Sequence, residues 1–329
     1  MKLFKRTTIG LTAAIALSGL ATLASAQEIK IRLGHPLTTA DAAHTAMVFF
    51  ADNVRKRTNG RIEITVFPAD QMGRQKDVGE MARQGANVIQ LTDALFLGEY
   101  VPDAAIIQAP YLMDKPDDFR KVIGSDWLRD LDERLAAKGL RVLSWNNYFG
   151  TRQLMSRKPI RTLADIKGLN FRVGNAPMYV DTAAALGGRP MTTGFAEVYT
   201  GLSQGTLDML EAPLPTMWAS KFYEVIKNVT LTGHMIAWDP VIISEVFFKS
   251  LKPEDQKLLM EESSKAADEM TRLKLEEETR MVKMYQDAGV NVITNIDREA
   301  FRKATETVYE KQAGWTPGLR EKVRGLITK

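Results

Sequence analysis

IKIRLGHPLTTADAAHTAMVFFADNVRKRTNGRIEITVF, residues 29–67, decides the fold class. Ile29, Ile31 and Leu33 alternate with Lys30 and Arg32, the two-residue period of a half-buried strand. Asp41 to Arg57 then changes period. Ala43, Met47, Phe50 and Val54 fall on one helical face. Asn59-Gly60 supplies a stop and a turn, and Arg61 to Phe67 reads as a second strand. A strand, a helix and a strand in that order predict an α/β layer around a largely parallel sheet.

The rhythm continues outward. Asp77–Gln84 reads as a helix ended near Gly85, Val88–Leu91 as a strand, Trp127–Ala137 as a helix ended by Gly139, and Leu140–Trp145 as a strand. It restarts after Gly150. A helical turn at Leu163–Ile166 precedes a strand at Leu169–Val173. Helices follow at Ala176–Leu186 and Phe195–Leu202. Strands follow at Thr206–Leu210, Val229–Leu231 and Val241–Lys249. No Pro/Ser-rich linker separates the halves, which predicts crossing strands at the boundary. Pro253–Asp287 holds no Gly or Pro after Pro253 itself. Leu259, Ala266, Met270, Leu273, Met281, Met284 and Ala288 repeat at helical spacings, with Lys265/Glu269, Arg272/Glu276 and Glu276/Arg280 as i,i+4 pairs. At 1.5 Å per residue this helix is about 50 Å long, enough to lie across two domains or to form a solvated arm. A single apolar stripe and a following strand at Val290–Ile293 favour the former.

Length and charge narrow the function. The 329 residues suit about two domains. Residues 1–26 read as a cleaved secretory signal, with Lys2, Lys5 and Arg6 before an apolar run and Ala24-Ser25-Ala26 at its end. Without those three cations, 41 basic residues face 40 acidic ones. The net charge of +4 therefore belongs mostly to the leader, and binding to nucleic acid by overall charge loses its support. The chain has no cysteine and three histidines, His35, His44 and His234, without metal-ligand spacing. No metal and no cofactor is expected. Export without a cysteine for lipid attachment suggests the periplasm.

Two motifs bear on chemistry. Gly201-Leu202-Ser203-Gln204-Gly205 matches the nucleophile elbow of serine hydrolases, with His234 as base and Asp208 as orienter. That motif needs a strand before the serine and a helix after it. Here the order is reversed, and Gly205 reads as a helix C-cap. The stronger candidate is Arg172 in Gly168-Leu169-Asn170-Phe171-Arg172-Val173-Gly174-Asn175. Leu169, Phe171 and Val173 share one strand face. Arg172 faces the other way near the carboxyl end, where open α/β sheets bind ligands. Its planar fork suits a carboxylate, either of a ligand or of an internal acid.

Taken together, the chain resembles the DctP-type solute-binding proteins of TRAP (tripartite ATP-independent periplasmic) transporters. The matching segments run in order: Ile31-Arg32-Leu33-Gly34-His35, Thr58-Asn59-Gly60-Arg61-Ile62, Phe67-Pro68 with Gln71-Met72-Gly73, Gly150-Thr151-Arg152, Ile166 to Val173, Glu197-Val198-Tyr199, and Gln204-Gly205 with Asp208. The resemblance implies a two-domain clamshell of the type II periplasmic-binding-protein kind, each domain a mixed, mostly parallel sheet flanked by helices. Residues 27–149 plus about 238–275 form domain I, residues 150–237 plus about 276–329 domain II, and helix 253–287 spans both. It further implies a receptor, not an enzyme, that binds an organic carboxylate and docks on the transporter's small and large membrane subunits. Arg172 matches the arginine that clamps the carboxylate, and Arg152 a supporting arginine. Asn175, Phe195 and Asp93 match positions of polar or aromatic ligand contact. Glu211 and Trp238 complete the expected set, with Trp145 and Trp218 as further aromatics for pocket or core. One departure stands out. Where the family has Glu-Asn-Pro, this chain has Glu211-Ala212-Pro213, and Ala212 cannot donate the asparagine's hydrogen bond. A binding protein for an ATP-driven importer shares the clamshell but not the long helix.

Overall fold

The structure is a computed structural model that describes residues 28–312 and 314–328. The expected signal and its cleavage site after Ala26 lie outside the described residues. The strands are β1 (Ile29–Gly34), β2 (Ile62–Phe67), β3 (Val88–Leu91), β4 (Leu140–Ser144), β5 (Tyr148–Ser156), β6 (Asn170–Val173), β7 (Arg189–Thr192), β8 (Met209–Pro213), β9 (Asn228–Trp238), β10 (Val241–Ser244) and β11 (Asn291–Ile293). They build two sheets, ordered β2-β1-β3-β10-β4 and β11-β9-β5-β8-β6-β7.

The opening stretch folds as read. Asp41 caps the helix Ala42–Arg57 by accepting a hydrogen bond from the Ala43 N–H. Met47, Phe50 and Val54 face the core, and β1 and β2 pair in parallel with Ile29 opposite Ile62. Each sheet contains one strand that runs against its neighbours. β10 is antiparallel to β3 and β4, and β5 is antiparallel to β8 and β9. The chain passes from the first sheet to the second between β4 and β5, and back between β9 and β10. These are the expected crossing segments, and Tyr148 pairs with Trp238 where they meet.

Three strand readings need correction. β5 was not legible as a strand: its register shifts around Gly150 and again between Arg152 and Leu154, so its apolar residues do not alternate cleanly. Gly150 adopts φ 140°, and a Cβ there would lie 2.5 Å from Pro213 Cβ. The strand expected over Val241–Lys249 stops at Ser244, whose hydroxyl accepts from the Phe247 N–H and starts the helix Glu245–Ser250. The strand expected at Thr206–Leu210 begins only at Met209, because Thr206 and Leu207 still hydrogen-bond back to Gly201 O. The helix read over Phe195–Leu202 is a 3₁₀ turn, Phe195–Glu197, followed by the α-helix Val198–Gln204. Gly205 is its left-handed C-cap, φ 77°.

The long helix runs Pro253–Asp287 as predicted. Leu259, Ala266 and Met270 pack into the core of the first sheet, whereas Met281 and Tyr285 pack into that of the second. It therefore lies across both domains. Arg272 pairs with Glu276 as expected, but Lys265 turns to Glu262 and Glu269 to Arg272. The final segments also touch both halves. Helix Arg298–Glu310 lies against helix Pro177–Ala185, while the Trp315 indole N–H donates to Pro102 O and Lys121 Nζ to Ile327 O.

Between these layers lies a buried cation. Lys274 of the long helix is fully buried and donates to Asp41 Oδ1 at 2.6 Å and to Thr216 Oγ1 at 3.0 Å. Asp41 belongs to the first half and Thr216, on helix Leu214–Ala219, to the second. Burial alone would raise the Asp41 pKa, but the Lys274 charge and hydrogen bond outweigh it and hold it low. Lys274→Met strands the Asp41 carboxylate in the interior. The expected loss is about 3–5 kcal/mol in chemical denaturation; an unchanged midpoint and slope would mean the pair ties nothing together.

Candidate functional site

A cavity of about 630 Å³ opens between the two sheets, within the range of small-molecule sites. Arg152, Arg172, Asn175 and Phe195 line it from the second half, and Asp93 and Gln75 from the first. Four of the expected residues on the second half and Asp93 on the first thus meet in one space.

The two arginines are buried yet differ in electrostatic state. Arg152 projects from β5 beside β8. Its Nε and Nη2 grip the Glu211 carboxylate, the latter at 2.8 Å from Oε1, and its guanidinium lies 4.8 Å from the Tyr179 ring centroid. Burial would push Glu211 up, but the charge and hydrogen bonds of Arg152 pull its pKa down to about 2. Arg152 is therefore neutralised inside the protein. Arg172, 5% exposed, makes one protein hydrogen bond, Nη2 to Thr193 O at 2.7 Å. Its Nε has no partner, and no carboxylate lies within 4.0 Å of it among the described residues. Burial lowers its pKa to about 10, Glu211 partly offsets this, and Arg152 adds to the fall. It is still a cation at neutral pH. Of the two readings left open for Arg172, internal pairing is thus the one realised by Arg152.

Strand β6 explains the aim of Arg172. Phe171 and Val173 point into the apolar core, so the residue between them must face the cavity. Phe195 lies under the guanidinium, 5.4 Å from its centroid to Arg172 Cζ, and braces edge-on against Phe222 at 5.8 Å. Asn175 sits at the rim. Ala212 lines the wall with a methyl group where an amide was expected from the resemblance.

Two expected contacts are placed elsewhere. Glu211 is not a wall residue; it holds Arg152. Trp238 is in the core, 1% exposed, with its ring 5.0 Å from Phe119 and 5.5 Å from Tyr148. Its neighbour Asp239 faces the cavity instead. Trp145 donates its indole N–H to Asp132 and Trp218 stacks on Tyr223 at 4.2 Å; neither lines the cavity.

Gln75, Tyr179 and Asp239 are among the wall residues that sequence reading missed. Gln75 opens the helix Gln75–Arg83; its Oε1 accepts from Thr92 Oγ1 and Asp93 N, which turns its amide NH₂ outward. Tyr179 donates its hydroxyl to Asp93 Oδ2 across the two halves. Asp239 accepts from Gln108 Nε2 at 3.2 Å. The available signals were weak: the Pro177 start that sets the phase of the Tyr179 helix, and the side-to-side alternation that puts Asp239 opposite Trp238.

The hydrolase alternative finds no geometry. Ser203 Oγ donates to Tyr199 O on the surface of its own helix, while His234 is fully buried and bonded to Thr232 Oγ1 at 2.7 Å. Among the described residues, no group of three or more His, Cys, Asp or Glu is placed to hold a metal ion, and no helix is long and apolar enough to cross a membrane.

Known proteins agree with this architecture. The family model described as bacterial extracellular solute-binding protein, family 7 (DctP), matches residues 33–314. The 2,3-diketo-L-gulonate-binding periplasmic protein YiaO of Escherichia coli is 32% identical over 297 residues, 89% of this chain and 90% of YiaO. A TRAP periplasmic solute-binding protein from Ochrobacterium anthropi, solved with bound L-fuconate, superposes with a TM-score of 0.88 at 32% identity, covering 91% of this chain and 99% of that one. Another from Fusobacterium nucleatum, with bound sn-glycerol-3-phosphate, gives 0.89 at 30% identity, covering 91% and 97%. With the two-sheet clamshell, the long crossing helix and the arginine-lined cleft, these matches establish that the chain belongs to the DctP family of TRAP periplasmic solute-binding proteins.

Proposed function

We propose that this protein is a periplasmic receptor that captures a small polyhydroxylated organic acid between its two domains and presents it to the membrane subunits of a TRAP transporter. The observation that carries this reading is Arg172: a buried cation whose Nε lacks a partner, facing a cavity. A ligand carboxylate supplies the missing counter-charge through charge-assisted bonds worth roughly 1.5–3 kcal/mol each. Phe195 packs on the ligand's apolar edge. Asn175, Gln75 and Asp93 take its hydroxyls. The domains correspond to residues 27–149 with about 238–275 and 150–237 with about 276–329, and the Tyr179–Asp93 hydrogen bond closes one onto the other. The protein acts after export, with its leader removed behind Ala26. Its task is binding: among the described residues, Ser203 and His234 of the hydrolase alternative stand outside the cavity lining.

The direct test is calorimetry or ligand-induced melting shift with L-fuconate, other aldonates and sn-glycerol-3-phosphate. Aldonates are expected to stabilise the protein most. Arg172→Ala is expected to weaken binding by about 2–5 kcal/mol, thirtyfold or more, with little loss of fold because the one acceptor it leaves, Thr193 O, belongs to a residue that lines the cavity. Full affinity in Arg172→Ala sinks the reading. A preference for the phosphate ester keeps the receptor and replaces the carboxylate.

Glu211→Gln gives the opposite signature. Its folded-state pKa lies below the unfolded one, so its contribution is complete above pH 4.5 and is lost as the pH falls toward about 2. The variant is expected to be destabilised by about 3–5 kcal/mol near neutrality and to approach the parent's stability as the medium is acidified. A constant gap across that window means that Glu211 does not act through its charge.

A further inference from the structure

Beyond the arginine clamp, the cavity holds two buried acids. Asp93 and Asp239 are 6% and 7% exposed, and both line the cavity wall. One hydrogen-bond chain joins them. Tyr179 donates to Asp93 Oδ2 and lies 3.4 Å from Gln108 Oε1, and Gln108 Nε2 reaches Asp239 Oδ1 at 3.2 Å. Asp93 spends its other oxygen on the Leu95 N–H at 2.8 Å. The second oxygen of Asp239 has no protein partner, although it is not sealed from the cavity.

The surrounding charges do not neutralise this pair. Arg152 from β5 faces both acids, but Glu211 from β8 already claims it. Lys274 on the long helix is committed to Asp41. His234 of β9 lies behind Glu211, 3.5 Å from its Oε2. Asp70, half-buried near the rim, adds negative charge on the Arg172 side. Among the described residues that leaves Arg172 as the buried cation of the cavity without a salt-bridge partner, against two carboxyls. With both ionised, the two acids outweigh the charge of Arg172 before any ligand arrives, and an incoming anion adds to the excess. Two carboxyls in one buried network resolve such a conflict by holding a proton.

We propose that Asp93 and Asp239 form a proton-sharing pair, so that the receptor takes up a proton together with its anion. The inference rests on the reading of Arg172 as an anion clamp. The proton comes from the buffer and adds to a carboxylate oxygen of the pair; no other bond changes. Once protonated, Asp239 can donate to a ligand oxygen, and Asp93 still accepts from Tyr179. Burial raises both acids above the ordinary aspartate range, with the charge of Asp93 adding to the rise at Asp239, in the direction the geometry requires.

Two measurements test this, the first without ligand. A folded-state pKa raised above the unfolded value of 3.8 gives stability that is full below that value and declines as pH rises through the folded one. Asp239→Asn keeps the acceptor for Gln108 and removes the titration. The melting temperature of Asp239→Asn relative to the parent is expected to climb by about 2 °C per pH unit as the pH rises from the unfolded value of 3.8 toward the raised folded one. Parallel melting curves overturn the proposal, and Asp93→Asn repeats the measurement if the first variant fails to fold. The second measurement is calorimetry of L-fuconate binding near pH 7 in two buffers of different ionisation enthalpy. The parent is expected to take up about half to one proton per site, and Asp239→Asn close to none. Binding without proton uptake in the parent overturns the proposal. If L-fuconate does not bind while the melting curves diverge, the choice of ligand fails and the proton-sharing pair stands.

Discussion

The site depends on the buried ion pair between Arg152 and Glu211. Two guanidinium groups enter one low-dielectric space from β5 and β6, the strands on either side of β8, and without a counter-ion each would raise the cost of burying the other. Glu211 sits on β8 directly beside β5, where antiparallel pairing sets Leu154 opposite it and Arg152 two residues away. The diagonal reach suits a long side chain. Neutralising Arg152 has two effects. It lets the sheet carry a fully desolvated cation as a scaffold element, with the Tyr179 ring stacked against it. It also leaves Arg172 without a carboxylate in salt-bridge contact among the described residues, so its N–H groups face the cavity.

That electrostatic division maps onto the architecture. The second half supplies both arginines, Glu211 and Phe195. The first half supplies Asp93 and Gln75, and Asp239 follows immediately on β9 where the chain crosses back. Cationic and acidic walls therefore belong to different halves, and Tyr179 and Gln108 bridge them. A ligand with an anionic head and a hydrogen-bonding tail has a polarity that matches the cleft in one orientation. The long helix and the Lys274–Asp41–Thr216 contact span the same two halves from behind. The cleft wall and the spine are thus joined through Thr216, which lines the cavity and accepts from Lys274.

How much of this was legible follows from the kind of signal each residue gives. The opening strand, helix and strand were readable because one period governs each run and because Asp41 and Asn59-Gly60 punctuate them. The 35-residue helix was readable to the residue, since Pro253 and Gly289 bracket an unbroken series of helix formers. Strand β5 was not, because its bulges displace the alternation on which strand reading rests. The same limit governs the site. Arg172 announces itself as a charge between two apolar strand residues. Glu211 was grouped with the ligand contacts because sequence gives no cross-strand register, and register decides whether an acid faces a pocket or a neighbouring arginine. Trp238 and Asp239 differ by one residue and by one face of the chain, and only the pairing of Tyr148 with Trp238 fixes which of them is turned to the cavity.

Ala212 shows where specificity must then reside. An asparagine at this wall position would offer a donor to the carboxylate and would need satisfying itself. The alanine removes both the donor and the obligation, and it is 1% exposed, so the strand gains no solvent contact in exchange. On the proposed reading the carboxylate is left to Arg172, whose Nε and Nη1 have no protein acceptor among the described residues while Nη2 donates to Thr193 O. A planar guanidinium with unused N–H groups suffices to hold a carboxylate, but it carries little information about the rest of the molecule. Discrimination among acids therefore falls to the opposite wall. There the outward amide of Gln75, the Asp93–Tyr179 pair and the free oxygen of Asp239 form a sequence of donors and acceptors that a ligand must match in order. A ligand lacking a hydroxyl at one of those points leaves a buried polar group unpaired, and that penalty separates close analogues more sharply than any change in apolar contact.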